Sequence, residues 1–129
     1  MTHMEHVQAL RASLDPHYNC CQSVLVPFAR EMGLTEAQAY ALGTNFGSGM
    51  GNGLVCGTLS GAFLVLGAAG FGPQKAVALL RQFQAEHEAT DCRTLLKASH
   101  DRGEERKAHC DGLVYEIVAA LEGILDKKA

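Results

Sequence analysis

Residues 37 to 74 contain no Asp, Glu, Lys, Arg or His, although 19% of the chain is charged. A run this long without charge either crosses a membrane or lies at the centre of a fold. A single span needs about 20 consecutive apolar residues. Thr44, Asn45, Ser48, Asn52, Thr58, Ser60 and several glycines interrupt the run, leaving Ala62 to Phe71 as its strongly apolar part. The run therefore predicts a buried central helix from about Val55 to Gly70, not a transmembrane segment. Its entrance, Phe46 to Gly61, reads FGSGMGNGLVCGTLSG, a glycine-rich loop that delivers Cys56 into the first turn of that helix. Glycines here permit positive φ and close approach of other segments. Gly53, Gly57 and Gly61 are the candidate positions for backbone contact with a bound group. Phosphate binding is disfavoured, because the loop holds no Lys or Arg.

The rest of the chain reads as helices around this centre. Thr2 with Glu5 forms a capping-box pattern, and Met4, Val7, Leu10 and Leu14 recur at helical spacing until Asp15-Pro16 stops the helix. Asn19 with Gln22 predicts a second start that carries Cys20 and Cys21 in its first turn. Val24, Leu25, Phe28 and Met32 form its buried face, Pro27 kinks it, and Gly33 stops it. Thr35 with Gln38 opens a third helix, to about Asn45. Pro73 suits the first position of a helix that turns Val77, Leu80 and Phe83 inward until about His87. Thr90 or Asp91 caps a short turn with Cys92, Leu95 and Leu96. Residues 97 to 109 read as a solvated connection, with a mobile lid as the alternative. The last helix, about Lys107 to Lys127, buries Leu113, Val114, Ile117, Val118, Leu121, Ile124 and Leu125 and carries Cys110 in its first turns. No segment alternates with a period of two. The expectation is an all-α, irregular bundle of five or six helices forming one domain over residues 1–129. The element order of the two halves also suggests a weak internal hairpin repeat.

Composition narrows the function. A net charge of −3 and no basic stripe interleaved with aromatics argue against nucleic acid. The N-terminal MTHMEHVQAL has no basic region followed by an apolar one, so the expected compartment is the reducing cytoplasm. There, five cysteines point to metal binding, catalysis or redox sensing ahead of structural bridging. Cys20, Cys56, Cys92 and Cys110 fall on four elements, each near an expected helix N-terminus, where a thiolate is favoured. No CxxC spacing is present, so convergence depends on the fold. Four sulfurs meeting together would hold a tetrahedral metal or an Fe-S cluster; meeting in pairs, they would run dithiol/disulfide exchange. Among the histidines, His109 adjoins Cys110 and is a weak extra metal ligand or base toward a thiol. His87 and His17 are placed similarly near Cys92 and Cys20, and an ordinary surface position is the commoner fate of each.

Asn19-Cys20-x-Gln22, the glycine loop, Cys56-Gly57-x-x-Ser60-Gly61, Cys92-Arg93-x-Leu95-Leu96 and Cys110 at the last helix together resemble the C_GCAxxG_C_C family of redox-active proteins. The resemblance covers nearly the whole chain. Thr58 stands where the family name has alanine, and Val55 where it has glycine. The resemblance implies a helical, cytoplasmic, cysteine-based redox protein with Cys20, Cys56, Cys92 and Cys110 as its motif cysteines and Gly57 and Gly61 as its signature glycines. Cys21 takes the place of a small residue and, in phase with Val24, Leu25 and Phe28, is expected in the core. Two functions stay open: thiol exchange led by Cys56 with a protein or small-molecule redox partner, and a zinc or Fe-S module using the same four ligands. A homodimer sharing a site is compatible with both.

Overall fold

The computed structural model describes residues 1–128, with seven α-helices and no strand among them. In chain order these are α1 (His3–Ala12), α2 (Cys20–Leu25), α3 (Glu36–Leu42), α4 (Gly57–Ala68), α5 (Pro73–His87), α6 (Cys92–Asp101) and α7 (Arg106–Lys128). The capping boxes read from sequence form at Thr2–Glu5, Asn19–Gln22 and Thr35–Gln38, each side chain accepting from the third helical N–H and being answered in turn. Asp91 caps α6 by accepting from the Thr94 N–H at 2.9 Å.

The uncharged run supplies the centre. Leu59, Ala62, Val65 and Leu66 of α4 are buried against Val24, Leu25 and Phe28, and against Val114, Ile117, Val118 and Leu121 of α7. The α2–α4 contact depends on two missing side chains. A Cβ at Gly61 would stand 2.9 Å from the Val24 Cβ, and one at Gly57 would stand 3.0 Å from the Phe46 carbonyl oxygen and 3.2 Å from the Cys20 Cβ. These signature glycines therefore set how closely the helix bearing Cys20 lies on the helix that Cys56 begins. No described helix is long and apolar enough to cross a membrane.

Several local expectations change in three dimensions. Pro27 shortens α2 more than it kinks it: lacking an N–H, it moves the chain into a 3-10 turn over Val26–Phe28. Leu14 is 85% exposed, because the chain leaves α1 at Ser13 and carries that side chain off the helical stripe. In α5 the inward set is Ala76, Leu79 and Phe83, with Val77 on the outer side. The short turn at Cys92 is a ten-residue helix that takes the first part of the expected connection, to Asp101, while α7 takes its end from Arg106. Its buried positions are Leu95 and Ser99, four residues apart. A one-residue-wide stripe of that kind is hard to see among charges.

Candidate functional site

All four motif cysteines border one small cavity of about 30 Å3, a volume close to that of a single water. Each reaches it by a different route. Cys20 is the first residue of α2, held by the Asn19–Gln22 capping box. Asn19 is itself fixed, its side-chain amide donating to the Gly43 and Thr44 carbonyls at 3.1 and 3.2 Å. Cys56 is the residue on which α4 starts, and Cys92 the first residue of α6. An isolated antiparallel bridge between Val55 and Asp91 joins these two starts. The Cys56 N–H donates to the Thr90 carbonyl at 2.8 Å and the Cys92 N–H to the Leu54 carbonyl at 2.6 Å. Because side chains alternate across an extended segment, Cys56 and Cys92 share the face opposite Val55 and Asp91. The glycine loop makes this possible: it closes a wide turn, Leu54 N–H to Gly49 O at 2.9 Å. Gly49 has φ +63°, and a Cβ there would lie 2.4 Å from the Leu54 nitrogen.

Cys110 differs from the others. It sits on the fifth residue of α7, one turn inside the helix. An ion pair that the sequence did not announce brings it beside Cys20. Arg11 Nε donates to Asp111 Oδ1 at 2.7 Å, with the Arg11 side chain only 8% exposed. The same guanidinium donates to the Tyr18 carbonyl at 3.0 Å and to Ser23 Oγ at 3.1 Å. A buried guanidinium without these acceptors would be costly, so the network fixes the register of α1, α2 and α7 together. Lys107 adds a 2.8 Å contact to the other Asp111 oxygen.

The four thiols titrate differently. Cys110 is drawn down to about 6, chiefly by the thiol of Cys20 hydrogen-bonding to its sulfur, with the Arg106 and Arg11 charges assisting against burial. Cys20 moves the opposite way, as the partner that keeps the shared proton and is also buried. Burial raises Cys56 despite a 3.0 Å contact between its sulfur and Thr58 Oγ1, which pulls the other way. Cys92 is raised by burial and by the neighbouring sulfurs. The expectation that Cys56 leads as a low-pKa thiolate is thus corrected. A helix N-terminus contributes about 0.3–1 kcal/mol, under one pKa unit, whereas burial of a thiol shifts it by several. Cys21 lies wholly in the core, its thiol pushed up to about 12.

His109 also borders the cavity, and here the surface expectation fails: its side chain is 7% exposed. Its Nδ1 lies 3.6 Å from Glu104 Oε1, its buried Nε2 has no hydrogen-bond partner, and burial lowers its pKa against the opposing pull of Glu104. His87 instead pairs with Glu116 at 2.9 Å. His17 stands on the rim of an outer groove. Gly57 borders the cavity, Gly61 lies within the α2–α4 contact, and Gly53 packs beside Arg93. Arg11, Arg106 and Thr58 are the site neighbours that sequence reasoning missed. Only Thr58, next but one to Cys56, carried a local signal.

Four thiolates from four elements are a suitable donor set for zinc or an Fe-S cluster. Among the described residues, however, the trio with ligand atoms mutually within 4.8 Å is Glu86, His87 and Glu116, not a set of cysteines. A single tetrahedral ion with sulfur bonds of about 2.3 Å would need the sulfurs that close. A cavity of about 30 Å3 does not admit a cluster core without repacking. The residues as arranged do not fit either group.

Compared with known proteins, residues 18–124 match the model of a family described as "putative redox-active protein (C_GCAxxG_C_C)". No curated protein and no solved structure matches the chain.

Proposed function

The chain belongs to the C_GCAxxG_C_C family of redox-active proteins, and on that premise we propose that it is a dithiol/disulfide electron carrier in which Cys110 is the attacking thiolate and Cys20 the resolving thiol. The observation that carries this reading is the position of Cys20 and Cys110, which border both the inner cavity and the outer groove, with the Cys20 thiol and the Arg106 and Arg11 charges drawing Cys110 down. All five cysteines stand as free thiols in this structure. Cys110 attacks one sulfur of a disulfide, forming a mixed disulfide and releasing one thiolate. Its negative charge is then gone, so the main cause holding the proton on Cys20 disappears. Cys20 loses that proton to the ring of His109 or to solvent, attacks the Cys110 sulfur, and releases the second thiolate. Two electrons pass from the protein to the substrate. Cys56 and Cys92, still protonated, form a second pair that exchanges with the first across the cavity.

A zinc or Fe-S module is the second reading, favoured by the same convergence of four cysteines on one cavity and opposed, for a single zinc ion, by their spacing and, for a cluster, by the small size of that cavity. One experiment separates the two. The protein is purified anaerobically and assayed for iron, zinc and sulfide, with thiols counted on the same sample before and after mild oxidation. The expected result is no stoichiometric metal, with reversible loss of two thiols and then four, the first bond joining Cys20 to Cys110. Stoichiometric metal that is lost in Cys56→Ser and Cys110→Ser would overturn the thiol reading.

A further inference from the structure

The Cys20–Cys110 pair has two exposures. Cys20, Cys110, Ser48 and Arg106 line the inner cavity and also the floor of an open groove of about 570 Å3, whereas Cys56 and Cys92 border the cavity alone. That volume lies within the range of small-molecule sites, about 300–1,000 Å3. Among the described residues, the sulfurs that line the groove are those of the pair already assigned the exchange.

The groove is also cationic, in a chain whose net charge is −3. Arg11, Lys107 and Arg106 line it, with His17 on the rim and Glu105 as the lining carboxylate. Asp111 takes up the charges of Arg11 and Lys107. Arg106 is left over. Its side chain donates to Ser48 Oγ at 3.4 Å and lines both the groove and the cavity together with Cys110, and no carboxylate pairs with it among the described residues. An exposed guanidinium without a counter-ion, next to the attacking sulfur, suits the carboxylate of an incoming molecule, which it can grip with two parallel N–H donors.

We propose that the groove selects low-molecular-weight disulfides that carry carboxylates, with Arg106 binding the anionic end and so delivering a sulfur to Cys110. This rests on the thiol-exchange reading and names its substrate class. The overall step takes the protein's thiolate–thiol pair plus RSSR to the Cys20–Cys110 disulfide plus two RSH: one disulfide bond breaks in the substrate, one forms in the protein, and the products take up the Cys20 proton and one proton from solvent, Cys110 having entered as the thiolate.

The test uses the reduced full-length protein and three disulfides: doubly negative oxidised glutathione, neutral hydroxyethyl disulfide and doubly positive cystamine. Each rate of Cys20–Cys110 formation is divided by the rate of the same disulfide with 2-mercaptoethanol, which removes intrinsic differences in reactivity. At low ionic strength the normalised rate is expected to favour oxidised glutathione over cystamine by about tenfold or more, and this ratio shrinks as salt screens it. Arg106→Lys retains the preference and Arg106→Gln collapses it, even where Arg106→Gln slows all three probes by raising the Cys110 pKa. Equal normalised rates, or a ratio untouched in Arg106→Gln, would overturn the substrate class while leaving thiol exchange standing. Failure of every probe to join Cys20 to Cys110 would remove the exchange reading and this proposal with it.

Discussion

Cys20 and Cys110 on the groove side of the cavity, and Cys56 and Cys92 on its inner side, are the same side chain in two settings. The groove-side pair has Arg11 and Arg106 within electrostatic reach, and each of its thiols shifts the other, Cys20 up and Cys110 down. On the inner side Cys56 has a hydroxyl contact and burial, and a backbone bridge ties its start to that of the half-buried Cys92. Three of the four begin a helix or stand on its first residue, yet those three are pushed up, and the one lying a turn inside α7 is pushed down. Position on a helix therefore does not select the reactive thiol here. Neighbouring charge and a proton-donating partner do.

The strongest way to break that contrast is to remove the thiolate. Alkylation by iodoacetamide is expected to modify Cys110 first, with a rate that climbs through about pH 6. Cys110→Ser should slow the fastest phase at pH 7 by at least about tenfold, whereas Cys56→Ser should leave it in place. Modification of Cys56 before Cys110 would reverse the comparison. Cys20→Ser sharpens it, because a hydroxyl is a poorer proton source for a neighbouring sulfur and the inflection should move upward from pH 6. An unchanged inflection would assign the shift to the arginines alone.

Stability separates the buried thiols by pH. Cys21 is raised from 9.0 to about 12, and Cys20 and Cys56 are raised as well. A thiol whose folded pKa is raised contributes stability that is fully present below the unfolded value, near 9, and is lost as pH rises toward the folded value. Cys110, lowered to about 6, acts in the opposite sense, contributing stability that is lost as pH falls from about 9 to 6. Urea midpoints should therefore rise between about pH 6 and 9 and fall above it, and Cys21→Ala should flatten the fall. A midpoint that stays level to pH 11 would contradict the burial of these thiols.

Two smaller effects probe the scaffold under each wall. Gly61→Ala forces a methyl to within 2.9 Å of the Val24 Cβ and should cost about 1–3 kcal/mol by overpacking the α2–α4 contact, as read from denaturant unfolding. Asp91→Ala removes the α6 cap beside the inner pair and should cost about 1 kcal/mol. It should also raise Cys92 alkylation while leaving Cys110 alkylation unaltered.

Much of this arrangement was legible in the chain because its causes are local. Thr2, Asn19 and Thr35 announce their helices through a partner three residues on, and the uncharged run announces the centre. The four cysteines could be singled out by motif. Their ranking could not, because it depends on Arg11 meeting Asp111 and on Arg106 meeting Cys110, contacts set by how α1, α2 and α7 pack. Leu14 and Val77 fit a helical stripe in sequence and lie off it in space, since a period of three or four does not reveal where a helix ends or which of two adjacent stripes turns inward. His109 gave no sign of burial, as it stands among charged residues that are themselves exposed.

The order of these elements along the chain has a consequence during synthesis. Cys20 leaves the ribosome early, while Cys110 and Arg106 arrive only with α7. At about 5–20 residues per second, Cys110 follows Cys92 by about 1–4 seconds, and none of the thiols made before it is one whose pKa folding lowers. The thiolate that attacks at neutral pH is therefore missing until α7 is made and docks. Reactivity is thereby withheld from the unfinished polypeptide and switched on by the completion of its folding.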